Sequence, residues 1–144
     1  MIRNLPNLAA MREYGRNVAA KLCAGDVVAL TGRLGAGKTT LAREIIAALG
    51  HEGEVPSPTF TVVECYDTDP PVVHADFYRL NDPAEAQELG LDDYREGAVL
   101  IAEWPDKAGG FETEPACLSI HLEIADEGRI AIARPGPDWL TRLP

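Results

Sequence analysis

Residues 30–50 read LTGRLGAGKTTLAREIIAALG, and this stretch decides the fold. Immediately before it, DVVALTG (26–32) is a short apolar run ending in glycine, the pattern of a strand buried on both faces. After the glycines, Leu41, Ile45, Ala48 and Leu49 recur with the spacing of one helix face, and Gly50 supplies a stop. Strand, glycine-rich loop and helix in that order predict an α/β domain with helices flanking a sheet.

The loop itself, Gly32-Arg-Leu-Gly-Ala-Gly37-Lys38-Thr39, fits G-x-x-x-x-G-K-[ST] in the strand-to-helix context that the pattern requires. Gly35 and Gly37 allow backbone N–H groups to approach phosphate oxygens without a Cβ in the way. Together with the start of the following helix they form a concave anion site. The expected nucleotide contacts are therefore Leu34, Gly35, Ala36, Gly37, Lys38, Thr39 and Thr40. Lys38 is expected to reach the β- and γ-phosphates, the Thr39 hydroxyl to ligate Mg²⁺, and the Thr40 hydroxyl to meet the α-phosphate.

A P-loop needs an acid at the end of a neighbouring strand for the metal or its water. Two apolar strands end that way, VVHAD at Asp76 and VLIAE at Glu103, and periodicity does not choose between them. One division is metal ligation by one and water positioning by the other. The guanine-reading tetrapeptide N/T-K-x-D is absent, which favours ATP over GTP. PSPTFT (56–61) offers three hydroxyls after the P-loop helix, where a segment sensing the γ-phosphate often lies.

Outward from this centre, residues 7–23 place Leu8, Met11, Val18 and Leu22 near one side of a helix, with Asn7 as N-cap and Gly25 as stop. TFTVVECY and PVVHADFY read as two strands separated by a polar turn, and NDPAEAQELG as a short acidic helix capped by Asp82, with Pro83 at its first position. AVLIAEW is a buried strand, and ACLSIHLEI with RIAIARP forms an antiparallel hairpin turning at Gly128. The 144 residues suit a single P-loop domain spanning 1–144, with a mixed sheet and a C-terminal hairpin.

Composition bounds the function. The net charge of −10 disfavours broad direct contact with a nucleic acid, so any role in a nucleic-acid pathway is expected to run through protein partners. No apolar run is long enough to span a membrane, and the N-terminus has no signal-peptide pattern, so a cytoplasmic location is expected. Cys23, Cys65 and Cys117 are far apart and odd in number, read as small apolar fillers. His51, His74 and His121 stand singly, without zinc-ligand spacing.

GRLGAGKTTLAR, VPSPTFTVVECY, HADFYRL, ELGLDDY and LIAEWPD occur in this order. Together they resemble the TsaE (YjeE) family of small bacterial P-loop ATPases over nearly the whole chain. The resemblance implies a role in making threonylcarbamoyladenosine next to the tRNA anticodon, with ATP hydrolysis acting on a TsaD–TsaB complex and no transfer of the group by this chain. It implies Thr39 and Glu103 as magnesium ligands, Asp76 as organiser of the attacking water or metal shell, and Arg129 near the nucleotide. Read alone, Arg129 is a solvated hairpin residue and Trp104 a core or lid residue; the resemblance moves both toward the site. One departure is Arg33, where the family usually has an acid. Its side chain is expected to point away from the phosphates.

Slow intrinsic turnover is expected, because no arginine finger is evident in cis. Two other readings share the P-loop: a small-molecule kinase, disfavoured by the missing arginine-rich lid, and a nucleotide-dependent binding module that scarcely hydrolyses.

Overall fold

The computed structural model describes residues 1–56 and 62–144. Seven strands form one sheet in the order β1-β7-β6-β2-β5-β4-β3. These are β1 (Ile2–Leu5), β2 (Val27–Thr31), β3 (Val63–Tyr66), β4 (Val72–Asp76), β5 (Val99–Glu103), β6 (Cys117–Ile124) and β7 (Arg129–Pro135). The four central strands, β6, β2, β5 and β4, run parallel, whereas β1, β7 and β3 join antiparallel. The mixed α/β architecture and the C-terminal hairpin therefore stand as the sequence predicts.

The parallel strands are apolar on both faces because both are covered. Val28, Leu30, Ile101, Leu118 and Ile120 face the helices α1 (Leu8–Ala19) and α2 (Lys38–Ala48). Val27, Ala29, Val73, Leu100 and Ala102 face a second cluster with Leu91 and Phe111. There the cover comes from the short helices α3 (Ala84–Glu88) and α4 (Leu91–Arg95). Helices α1 and α2 pack so closely that a Cβ on Gly15 would lie 2.7 Å from that of Glu44. Any larger residue at position 15 would push α2, the P-loop helix, away from α1.

Several local expectations are corrected. Helix α1 starts where Asn7 caps it, its side chain accepting from Ala10 N–H at 2.9 Å, but ends at Ala19, well short of Gly25. Leu8 is exposed; Tyr14, Gly15 and Ala19 complete the buried face instead. In α2 the inward residues are Leu41, Ala42, Ile45 and Ile46, and Ala48 faces solvent. Pro83, not Asp82, is the N-cap of α3; Asp82, one residue earlier, accepts from Ala84 N–H at 2.8 Å. β1 and α4 were not foreseen: β1 buries only Leu5, so its pattern carries no alternation. Of the cysteines, Cys117 alone is a buried filler; Cys23 and Cys65 are exposed. Among the described residues no helix is long and apolar enough to cross a membrane, and no metal-ligand cluster of His, Cys, Asp and Glu occurs.

Candidate nucleotide site

Parallel strands end together, and the chemistry sits at that end. The register pairs Leu30 with Glu103 and Glu103 with Asp76, so the mouth of the P-loop and both candidate acids share one row. Both strand-end acids thus come to the loop that the sequence placed them beside.

The loop is shaped from within. Ala36 is fully buried and its N–H donates to the Arg33 carbonyl at 3.1 Å, so Ala36 holds the turn rather than presenting a free donor. Gly35 has φ +82°, and nothing lies within 4 Å of where its Cβ would be, so the space beside its Cα is open. This is the cradle a phosphate group requires. Leu34 is exposed at the rim, and Arg33 is exposed beside it.

Lys38, at the first position of α2, is buried. Its ammonium donates to the carbonyls of Gly32 at 2.5 Å and Arg33 at 2.9 Å, and lies 4.5 Å from the centre of the Trp104 ring. Burial pulls the lysine's pKa down, and the charges of Glu103 and Asp76 push it back up. The cation is therefore stored over loop carbonyls and an aromatic face, each able to release it to a stronger anion. Trp104 itself has φ +54°, an uncommon conformation for a bulky residue, immediately after Glu103. Tyr78 packs on it at 4.9 Å between ring centres.

Thr39 Oγ1 donates to Glu103 Oε1 at 2.7 Å, and His74 Nε2 lies 2.6 Å from Glu103 Oε2. A carboxylate oxygen carries two lone-pair sites, so each oxygen of Glu103 keeps one for a cation or its water. The Thr39 oxygen, having given its hydrogen to Glu103, also presents lone pairs outward. Two hard oxygen ligands at the end of a P-loop fit Mg²⁺. Asp76 Oδ1 accepts from Tyr78 N–H at 3.0 Å. Burial, then the charge of Glu103, raises the Asp76 pKa above the ordinary carboxylate range, against the Tyr78 bond that lowers it.

Arg129 is no solvated hairpin residue. Its guanidinium donates to Ala36 O at 3.1 Å, Gly35 O at 3.0 Å and Gly128 O at 2.8 Å, clamping the back of the P-loop to the β6–β7 turn. Beside it Leu5, Leu8, Met11, Gly37, Thr40 and Arg129 line a groove of about 260 Å³. The sequence did not reveal this groove, because its walls come from four elements, β1, α1, the P-loop with α2, and β7, the first of them unforeseen. The three hydroxyls of 57–61, expected to sense the γ-phosphate, lie outside the described residues.

A family model described as threonylcarbamoyl adenosine biosynthesis protein TsaE matches residues 5–131. The chain belongs to the TsaE family. A Streptomyces coelicolor relative, named a tRNA threonylcarbamoyladenosine biosynthesis protein TsaE, is 46% identical and aligns over 91% of this chain and 95% of its own length. A Haemophilus influenzae TsaE is 36% identical, over 87% of this chain and 83% of its own. The crystal structure of Bacillus subtilis YdiB superposes with a TM-score of 0.78 at 28% identity, covering 98% of this chain and 89% of that one. The loop, acids and clamp described above thus belong to a TsaE-family fold. The signal that would have flagged the Lys38–Trp104 contact is the E-W-P triplet, since Trp104 follows the strand-end acid directly.

Proposed function

We propose that the chain is a Mg²⁺-dependent ATPase of tRNA threonylcarbamoyladenosine formation. In this reading it acts in the cytoplasm on a TsaD–TsaB complex and leaves group transfer to that complex. The observation that carries the proposal is the Thr39–Glu103 hydrogen bond at the mouth of an open P-loop, with Lys38 held alongside. The relatives' names supply the pathway.

Bound Mg²⁺ would neutralise charge on the β- and γ-phosphates of ATP, with Thr39 and Glu103 as its protein ligands. Lys38 exchanges its loop carbonyls for phosphate oxygens. Leu34, Gly35, Gly37 and Thr40 contribute the backbone and hydroxyl contacts along the loop. Arg129 fixes the loop's shape, and the groove beside Thr40 takes the base, its walls Leu5, Leu8 and Met11 offering apolar contact to a flat ring. Asp76, with its raised pKa, orients the attacking water and accepts its proton. The net charge of −10 assigns contact with the tRNA to the partner complex.

The test is reconstitution of tRNA modification from purified TsaD, TsaB and this chain, with ATP or a non-hydrolysable analogue supplied to this chain's step. Repeated rounds of modification should require this chain and hydrolysable ATP, and the partner complex should raise its ATPase rate. Full modification without this chain, or no rate increase with a cognate complex, would refute the proposal.

A further inference from the structure

His74 is fully buried in the middle of β4, two residues before Asp76. Its Nε2 lies 2.6 Å from Glu103 Oε2, while its Nδ1 is buried with no hydrogen-bond partner among the described residues. An unpaired ring nitrogen in the interior is unfavourable, and an apolar side chain of similar size would avoid it. The arrangement makes physical sense only through the other nitrogen. Glu103 is as buried as His74 and receives one hydrogen bond from Thr39 on Oε1. Without a donor on Oε2 the carboxylate would be free to turn about its final torsion, or would face a partnerless interior.

The tautomer follows from the contacts. A carboxylate oxygen at 2.6 Å requires a hydrogen on Nε2, and the neutral ring then leaves Nδ1 as a bare lone pair. His74 thus grips the oxygen of Glu103 farther from Thr39 and sets the plane of the carboxylate. Carboxylate ligands of metals are generally fixed by an outer hydrogen bond of this kind.

We infer that His74 is a positioning residue: its Nε2–H fixes the Glu103 carboxylate in the plane that meets Mg²⁺ beside Thr39. The inference rests on the site reading proposed above. It assigns His74 no contact with nucleotide and no proton transfer.

The experiment measures binding of a fluorescent ATP analogue, with Mg²⁺ and with excess chelator, to the unaltered chain, His74→Leu, His74→Gln and His74→Asn. Thermal melting without nucleotide reports folding of each variant. A glutamine amide nitrogen reaches the place of Nε2, whereas an asparagine amide nitrogen reaches only the place of Nδ1. His74→Gln should keep the Mg²⁺-dependent gain in affinity to within about threefold, and His74→Asn and His74→Leu should each lose about tenfold of it. Chelator-side affinities should be equal in all four proteins. If the leucine variant does not fold, the glutamine–asparagine pair carries the same comparison. Equal gains in Gln and Asn, whether kept or lost together, would overturn the role of His74 alone. No Mg²⁺-dependent gain in the unaltered chain would overturn the site reading and this inference together.

Discussion

Among the described residues two acids are almost wholly buried, Asp26 at 3% exposure and Glu103 at 2%, and they sit at opposite ends of the central strand pair. Asp26 accepts from Arg142 Nη1 at 2.7 Å, Arg142 Nη2 at 2.9 Å and Cys23 N–H at 2.7 Å. The guanidinium lies over the ring of Trp139, 4.3 Å from its centre, and Trp139 in turn donates to Ala116 O at 2.8 Å. That carboxylate is neutralised by a permanent cation in bidentate geometry, so its chemistry is finished. Among the described residues Glu103 is held by His74 and the Thr39 hydroxyl, and the nearby Lys38 spends its own bonds on loop carbonyls. In the proposed reading, that arrangement leaves Glu103 able to meet a metal cation. Burial alone does not mark a functional acid; the charge state of its partners does.

The contrast can be broken by exchanging what each acid does. The largest effect is expected at Lys38→Ala, which should lower ATP hydrolysis by at least about 100-fold, the scale for removing one charged group from a transition-state clamp. Its apo melting temperature should stay within a few degrees, since the lost bonds run to loop carbonyls and to no buried charge. A large fall in apo stability would mean that Lys38 is chiefly structural.

Asp26→Ala should do the reverse. It strands Arg142 and should cost about 2–3 kcal/mol in urea unfolding, while ATP hydrolysis at low temperature stays near that of the unaltered chain. Arg129→Ala comes next, weakening ATP binding by about tenfold as the clamp on Gly35 and Ala36 is lost; this corresponds to about 1.4 kcal/mol. Titration of the variant with ATP and Mg²⁺ checks it.

The smallest effect sharpens the comparison by pH. The Asp76 pKa is raised by folding, so the unfolded chain holds fewer protons at this site between the ordinary carboxylate value and the raised one. Stability from this group therefore falls as pH climbs through that window and stays reduced above it. Asp76→Asn should raise the apo melting temperature by about 1–3 °C at neutral pH and lose that gain near pH 3, while reducing hydrolysis. An unchanged or lower melting temperature at neutral pH would show that Asp76 carries no such penalty.

What could be read in advance divides along the same line. The P-loop, its strand and its helix were legible because the pattern is local: glycines, lysine and hydroxyl stand within eight consecutive residues. Both strand-end acids were legible as candidates because apolar runs stop at them. Their partners were not. His74 read as a lone histidine, and only the β4–β5 pairing brings it under Glu103. The Asp26–Arg142 pair spans 116 positions, and no spacing rule reaches that far. β1 was missed because an edge strand with one inward residue leaves no alternation, and its absence hid the groove that Leu5 helps to line. Arg33, exposed at the rim of the loop, remains a departure from the family pattern that nothing in the structure explains.

In the proposed site Glu103, and not the equally buried Asp26, supplies the carboxylate that holds Mg²⁺. Phosphate release from ATP measured with and without Mg²⁺, for the unaltered chain and Glu103→Gln in the presence of TsaD and TsaB, tests it most directly. Turnover should depend on Mg²⁺ and fall by about 100-fold or more in Glu103→Gln, with a melting temperature no lower than that of the unaltered chain. Turnover in Glu103→Gln equal to that of the unaltered chain would contradict it.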